Sequence, residues 1–192
     1  TRDILHTSGL IVTGDTLDIF VVHLPSRSGG AKESEPYRLF VAKKIKAEAD
    51  SILTSRQHPL LIIMGDFNDY PTNKSITQIL EATAPPHHPK PLKLYHLLAR
   101  KAKEDKNKGS SYKYQGEWGL LDHLIVSGTL LDTTTNFFTT EKKANVAHLP
   151  FLLTEDNKYG GLQPFRTYYG MKYIGGYSDH LPVFMDLETR TK

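Results

Sequence analysis

Asp66 and Asn68 are the residues of this sequence best placed to perform chemistry. They follow the apolar stretch 60–64, which predicts a buried strand that delivers them to its C-terminal end, where α/β sheets place ligands. Two positions apart in an extended segment, their side chains are expected to point the same way. Asp offers oxygen ligands for Mg²⁺ or Mn²⁺, or a base for a water molecule, and Asn offers a carbonyl ligand and an N–H donor. The alternative is a strand-end turn in which both side chains bond only the local backbone.

Three further polar clusters stand at the ends of apolar stretches. His23 ends one such stretch, and Arg27 follows it after a proline; an imidazole and a guanidinium together suit an anion. Asp122 opens another, and it could accept a hydrogen bond from an imidazole and so fix its tautomer. Asp179 and His180 precede a third, and they could present a metal ligand and a phosphate-binding imidazole to one site.

Each of these clusters also has a purely structural interpretation. His23 would be an edge-strand histidine beside a surface arginine, and Asp122 would be a buried carboxylate bonded to backbone amides. Asp179 and His180 would belong to a solvated surface turn. Four polar clusters at the strand ends of one domain are harder to explain in this way together, so we interpret them as one site.

The elements that must position these residues can be predicted from periodicity and turn signals. Predicted strands cover residues 6–13, 17–23, 60–64, 120–127 and 181–187, and predicted helices cover 35–54 and 75–82. Ser34 is the expected N-cap of the first helix, whose apolar residues recur every three or four positions. Residues 85–91, with four prolines, predict a rigid surface loop, and the lysine-rich residues 101–111 predict a mobile one. The strand–helix–strand order favours an α/β fold.

Length and composition limit the class of protein. The chain has 192 residues without an internal repeat, which predicts a single domain over 1–192 and, as we expect, a monomer. The absence of cysteine excludes a disulfide scaffold and a cysteine nucleophile, and it leaves the compartment open. The net charge of +3 is too small to indicate a protein that coats nucleic acid. The apolar runs are too short to span a bilayer.

The order of the four clusters resembles the endonuclease/exonuclease/phosphatase superfamily, which includes pancreatic-type deoxyribonucleases and abasic-site endonucleases. The motifs that carry the resemblance are Gly-Asp-Phe-Asn at 65–68, Leu-Asp-His-Leu-Ile at 121–125 and Ser-Asp-His-Leu-Pro-Val at 178–183, after His-Leu-Pro at 23–25. It extends over residues 10–187 and implies a two-sheet α/β sandwich with a deoxyribonuclease-like four-layer fold. It also implies hydrolysis of a phosphate ester that depends on Mg²⁺ or Mn²⁺. The loop at 25–30 and the Gly-Glu-Trp segment are similar to bacterial members.

The resemblance implies a role for each motif residue. Asp66 would orient or deprotonate the attacking water, and Asn68 would hold that water or a metal ion. Asp179 would be a metal ligand, His180 would contact the scissile phosphate, and Asp122 would hold His180 by a hydrogen bond. His23 would stand near the leaving group, with Arg27 as a phosphate contact.

One part of the family pattern is not found in this sequence. Family members carry an Asn and a metal-binding Glu well before the strand that corresponds to 17–23, whereas none of Asp3, Asp15 and Asp18 has a matching context. We therefore expect that an N-terminal portion of the domain is missing and that the chain alone has little or no activity. The alternatives are a binding module that retains the fold without catalysis, and a phosphomonoesterase.

Two loops rich in aromatic residues are the expected selectors of the substrate. Residues 110–118 and 165–173 combine tyrosines with a few cations, a composition that suits stacking on a base or sugar and a phosphate contact. Arg166 is the cation that we expect to bind substrate, either nucleic acid or a small phosphodiester. The alternative is that the tyrosines only pack these loops onto the sandwich.

Overall fold

A computed structural model describes residues 2–190 as a mixed α/β structure. Its strands are β1 Leu5–Leu10, β2 Thr16–His23, β3 Leu60–Asp66, β4 Leu94–His96, β5 Tyr112–Tyr114, β6 Glu117–Gly119, β7 Asp122–Ser127, β8 Phe137–Phe138, β9 Ala144–Val146, β10 Leu153–Glu155, β11 Leu162–Pro164, β12 Tyr168–Tyr169, β13 Lys172–Tyr173, β14 Val183–Met185 and β15 Glu188–Thr189. Its helices are α1 Ala31–Ser55 and α2 Ala99–Glu104, with a π-helical turn at Ser75–Ile79 and 3₁₀ turns at Gly128–Leu131, Glu141–Lys143 and Pro150–Leu152. Within this part of the chain, no helix combines the length and apolar character needed to cross a membrane.

The central sheet has the strand order β1-β2-β3-β7-β4 and brings three of the predicted site residues together. β2 and β3 are parallel and are connected through α1, whereas β7 runs antiparallel to β3. The register pairs His23 with Asp66, and Asp66 in turn with Asp122. Directly opposed residues project to the same face of a sheet. The strand register therefore aligns these three side chains at one end of the sheet.

Apolar side chains cover both faces of the central sheet. Leu61 and Ile63 of β3 face a core that includes the buried side of α1. Leu60 and Ile62 alternate with them and face a second core, which includes residues of β8, β9 and β14. On that side the antiparallel pairs β9–β14 and β8–β15 form a further strand layer. This arrangement confirms the predicted α/β sandwich.

Several predicted elements differ from the observed ones in type or extent. The segment predicted as a helix at 75–82 is a single π-helical turn, Ser75–Ile79, and the final predicted strand contracts to β14. The lysine-rich segment predicted as a mobile loop begins within a short helix, α2. In α2 the ammonium of Lys101 donates to the side-chain oxygen of Asn145 at 2.6 Å, and this distant contact was not predictable from local composition.

Helix α1 begins four residues earlier than predicted, and Ser34 is not its N-cap. Gly30 occupies the cap position, and the Ser34 hydroxyl lies inside the helix, where it donates to the Gly30 carbonyl oxygen at 2.6 Å. The reason is Arg38, a buried residue whose guanidinium donates to the Ala31 carbonyl and to the Ser34 hydroxyl, both at 2.7 Å. Arg38 also pairs with Asp69 at 2.8 Å. This ion pair connects the start of α1 to the loop that follows β3.

Two buried histidines support the same loop from the other side. His96 of β4 and His123 of β7 are fully buried, and their rings are hydrogen-bonded to each other. Because the Leu98 N–H donates to His96 Nδ1, the proton of His96 is on Nε2, which donates to His123 Nδ1. His123 Nε2 then donates to the Asp69 carbonyl oxygen at 2.8 Å. All four ring nitrogens are bonded in the neutral state of both rings.

This neutral pair predicts that acid destabilises the protein. Burial lowers the pKa of His123 from 6.5 to about 4, against the opposing effects of the Asp69 carbonyl and the Asp122 charge. A lowered pKa in the folded state contributes stability that is complete above pH 6.5 and is lost as the pH falls toward 4. We expect His123 to cost about 2 kcal/mol of unfolding free energy between pH 7 and pH 5. Urea denaturation at the two pH values measures this loss.

The matched variants for that measurement are His123→Gln and His58→Gln. His58 is exposed, so His58→Gln should show the same loss of stability between pH 7 and pH 5 as the wild type. His123→Gln should show a smaller loss, whatever its stability at pH 7. An equal loss in both variants would show that His123 does not titrate with folding.

Candidate functional site

Asp66 is held at the end of β3 by the segment that follows it. The backbone N–H of Asn68 donates to Asp66 Oδ1 at 2.7 Å, and the Asn68 amide donates to Asp66 Oδ2 at 3.3 Å and to the Leu24 carbonyl at 3.0 Å. Asn68 has φ 49°, a left-handed conformation that Asn tolerates better than most residues. The two side chains are therefore neighbours through a turn, and not through the extended alternation that the sequence predicted.

A glycine is required directly before Asp66. Gly65 has φ 132°, and a Cβ atom built on it would lie 2.0 Å from the carbonyl oxygen of Val22 on β2. This close approach of β2 and β3 would be lost with any other residue. Gly65 thus fixes the distance between the strand ends that carry His23 and Asp66.

His180 and Asp122 form the second half of the site. His180 Nδ1 donates to Asp122 Oδ2 at 2.7 Å, and the same oxygen accepts a hydrogen bond from the Ser111 hydroxyl at 2.5 Å. The ring of Tyr112 lies against the imidazole, with centroids 4.7 Å apart. These contacts fix the tautomer of His180 and leave Nε2 as its remaining polar atom.

Two members of the site, His180 and Asp66, have raised pKa values. Burial disfavours the charged form of His180, but the hydrogen bond and charge of Asp122, with the charges of Asp66 and Asp179, outweigh burial and raise its pKa. Burial raises the pKa of Asp66, and repulsion by Asp122 raises it further. The Asn68 N–H and the nearby imidazoles act in the opposite direction. His23 is one of these imidazoles, and its Nε2 lies 3.4 Å from Asp66 Oδ2. A cationic His180 beside a carboxylate is suited to contact with an anion.

A cavity of about 800 Å³ opens over this cluster. All but one of the residues that the sequence singled out line it, namely His23, Arg27, Asp66, Asn68, Asp122, Asp179 and His180. The Arg27 guanidinium lies 4.7 Å from the centre of the Tyr70 ring, which belongs to the same wall. Arg166 is the exception, because it lines a second cavity and not this one.

Three members of the cluster could hold a metal ion. One ligand atom from each of Asp66, Asp122 and His180 lies within 4.8 Å of the other two. Carboxylate oxygens and an imidazole suit a divalent cation such as Mn²⁺, and the carboxylates alone suit Mg²⁺. Asp179 lines the same cavity but does not belong to this group among the residues that the structure describes.

Sequence reasoning missed the residues that orient His180. Ser111 was part of a predicted mobile loop and is fully buried beneath Asp122. Tyr112 was noted only as a member of an aromatic loop, whereas it contacts the imidazole. Tyr112 begins β5, a strand of three residues, and Ser111 directly precedes it; no local signal in the sequence indicated that this strand runs beside His180.

The fold is similar to that of several solved structures. The mannosyl-6-phosphatase Bt3783 of Bacteroides thetaiotaomicron VPI-5482 is 15% identical, with a TM-score of 0.51 over 91% of this chain and 52% of that one. A humanized D. rerio TDP2 is 13% identical, with a TM-score of 0.56 over 97% of this chain and 60% of that one. The β toxin of Staphylococcus aureus is 12% identical, with a TM-score of 0.54 over 94% of this chain and 55% of that one. The chain thus spans between half and two thirds of the length of these structures.

The sequence itself provides the assignment. No curated protein matches the chain. A model described as the Endonuclease/Exonuclease/phosphatase family matches residues 1–189. Since this match includes the whole central sheet and both halves of the cluster at its edge, the chain belongs to the endonuclease/exonuclease/phosphatase family.

Proposed function

We propose that this chain carries the catalytic centre of a hydrolase that cleaves phosphate esters with an activated water molecule. The observation that carries the proposal is the pair of connected units at one sheet edge, Asp66 with Asn68 and His180 with Asp122. One unit offers a carboxylate that can take a proton from water, and the other offers a cation that can neutralise a phosphate oxygen. Both requirements of phosphoryl transfer are met within one cavity.

Each residue would act through a group that the structure leaves available. Asp66 would orient and deprotonate the water, and Asn68 would fix the direction of the Asp66 carboxylate through its N–H groups. His180 would donate from Nε2 to the phosphate, because Asp122 already binds Nδ1. His23 would protonate or stabilise the leaving oxygen, with Arg27 as a further phosphate contact.

A divalent cation, Mg²⁺ or Mn²⁺, would complete this centre. Asp179 and Asn68 would hold it, with the group of Asp66, Asp122 and His180 as the alternative ligand set. When bound, it would neutralise charge that develops on the phosphate oxygens. The first Glu of the chain is Glu33, so the Glu that the family places earlier has no counterpart here. We therefore propose that turnover by this chain alone is slow.

The substrate class within phosphate esters separates two candidates. Among proteins with a similar fold, one is named a mannosyl-6-phosphatase, and a D. rerio TDP2 structure is complexed with a single strand DNA product. A phosphodiester, from nucleic acid or a small molecule, is our first candidate, and a phosphomonoester is the second. Both kinds of ester release an alkoxide that His23, beside Asp66, could stabilise, so a comparison of substrates must separate the two candidates.

Hydrolysis assays with and without a metal test the proposal. We expect bis(p-nitrophenyl) phosphate to be cleaved slowly with Mg²⁺ or Mn²⁺ and not with EDTA, and p-nitrophenyl phosphate to be the poorer substrate. Asp179→Asn should weaken Mn²⁺ binding by about 10-fold or more in calorimetry, because one charged ligand is lost. The control is Asp50→Asn, the same change on the outer part of α1.

The outcomes divide the alternatives. Hydrolysis in EDTA at the rate seen with metal would contradict the metal requirement. Tight binding of a phosphate ester without hydrolysis, in this chain and in any longer form of the protein, would identify a binding module instead of an enzyme. Static light scattering of the same samples tests the expected monomer.

A further inference from the structure

A second cavity of about 530 Å³ adjoins the candidate site. Its wall contains three tyrosines, Tyr114, Tyr159 and Tyr169, and the cations Lys158 and Arg166. Tyr114 lines both cavities, so the two share a boundary. Aromatic rings and cations around one cavity are typical of sites that bind anionic ligands carrying a flat group.

Arg166 lacks the partner that a partly buried cation normally has. Its Nε is buried and donates no hydrogen bond, and in residues 2–190 its guanidinium forms no ion pair. A guanidinium removed from water without a partner is costly, and its planar fork matches phosphate or carboxylate oxygens. Because Arg166 lines the cavity, its terminal nitrogens, and not the buried Nε, are the groups that can meet an anion there.

The other buried cation of this cavity is already neutralised. Lys113 and Asp156 are 7% and 6% exposed and form an ion pair of 2.8 Å. Lys113 also donates to the Gly160 carbonyl at 2.7 Å, and Asp156 accepts from the backbone N–H groups of Lys158 and Tyr159. The pair thus holds the loop that carries this part of the wall. Arg166 and Lys158 remain as the cations that can meet a ligand.

Strand β5 connects this cavity to the reacting centre. Tyr112 contacts His180, and its ring stacks on Tyr114 with centroids 6.3 Å apart and planes 11° apart. One molecule could therefore occupy both cavities.

We propose that the second cavity is a subsite for a second phosphate of the same substrate, bound by Arg166, with a nucleoside ring against the tyrosines. This proposal rests on the proposed function, since it assumes that the first phosphate lies beside His180. It narrows the substrate class to nucleotides with two separated phosphates, as in an oligonucleotide strand. Arg166 and Lys158 supply the phosphate contact. The tyrosine rings can stack on any base because each base has a flat face.

Binding in EDTA tests the subsite without requiring turnover. By calorimetry, thymidine 3′,5′-bisphosphate should bind at least about 10-fold more tightly than thymidine 5′-monophosphate, the value of one good charge-assisted contact. In Arg166→Gln the two thymidine phosphates should bind with affinities that differ by about twofold or less. Arg166→Lys should retain part of the wild-type preference for the bisphosphate. Lys43→Gln, the same loss of charge on the exposed side of α1, should keep the wild-type ratio.

Two sugar phosphates test whether the second phosphate must belong to a nucleotide. Fructose 1,6-bisphosphate should gain less over fructose 6-phosphate than the thymidine pair gains, because it has no flat aromatic base that could lie against the tyrosines and direct the second phosphate to Arg166. An equal gain would overturn the nucleotide assignment, and a wild-type thymidine ratio near one would overturn the subsite. A chain that binds with the expected ratio but never hydrolyses an ester would contradict the proposed function alone. A chain that hydrolyses esters with a ratio of one would contradict the subsite alone.

Discussion

Replacing His180 with alanine is expected to lower kcat for phosphate-ester hydrolysis by about 10³-fold, in any form of the protein with measurable turnover. The charge of the His180 imidazole acts on Asp66, and it is reinforced by a carboxylate partner, Asp122, at 2.7 Å. Alanine removes both the charge and the Nε2 donor, so the phosphate would lose stabilisation mainly in the transition state. Steady-state kinetics with bis(p-nitrophenyl) phosphate measures the loss, which should appear in kcat more than in KM.

Two variants distinguish the contact made by His180 from the support given by Asp122. Asp122→Asn should reduce kcat less than His180→Ala, since it leaves the imidazole in place. It should also lower the pKa of His180 in an NMR titration of the metal-free protein, because the opposing charge is gone. His58→Ala, at an exposed histidine, should change neither quantity. Turnover near the wild-type level in folded His180→Ala would contradict the role of His180.

The sequence was sufficient to predict which residues gather at the sheet edge, because the signal for each of them is local. Asp66 directly follows a run of apolar residues, and the type of that run indicates a buried strand whose end is fixed within a residue or two. His23 and Asp122 are marked in the same way at β2 and β7. Once the three strands are neighbours, their ends must meet. That these strands are neighbours was the non-local fact required, and it was implied by the resemblance to the family and not by any local pattern.

The residues that orient the site could not be predicted, because their roles depend on contacts between distant segments. Ser111 reaches Asp122 across a chain reversal, and Tyr112 meets His180 from 68 positions earlier in the sequence. Arg38 occupies a helix position that a polar residue would normally expose to water, and only the buried Asp69 explains why it is inside. Periodicity describes the face of a single element, and it contains no information about which charge lies opposite.

Arg166 shows the same limit at the level of the substrate. The aromatic and cationic composition of its loop predicted that Arg166 contacts a phosphate. The structure places Arg166 in a cavity beside the one that the motif residues line. Arg166 lies between β11 and β12, and β12 pairs with β13 in a separate sheet of two short strands, whose course no local pattern indicates. Binding of substrate by Arg166 remains a prediction. The structure shows that Tyr112 contacts His180 and stacks on Tyr114, the tyrosine of β5 that reaches the second cavity.

Asp66→Asn is the second substitution for which we expect a loss of about 10³-fold or more in kcat, with little change in stability. The amide has nearly the shape of the carboxylate but cannot accept a proton from water. Burial and the charge of Asp122 raise the pKa of Asp66, so ionisation of Asp66 costs free energy in the folded protein that it does not cost in the unfolded chain. Removing that charge should leave the unfolding free energy of the metal-free chain unchanged or increase it by up to about 1 kcal/mol.

The matched control is Asp69→Asn, the same chemical change three residues later. Asp69 is 4% exposed and is paired with Arg38, which is 2% exposed, so its neutralisation leaves a buried guanidinium without a counter-charge. That should cost about 3 kcal/mol of stability, seen in urea denaturation. The two variants should therefore differ. Asp66→Asn should lose turnover and keep its stability, and Asp69→Asn should lose stability first. If Asp66→Asn unfolded as easily as Asp69→Asn, Asp66 would be a structural carboxylate and not the proposed base. If Asp66→Asn kept its turnover, the water would be activated elsewhere in the cavity.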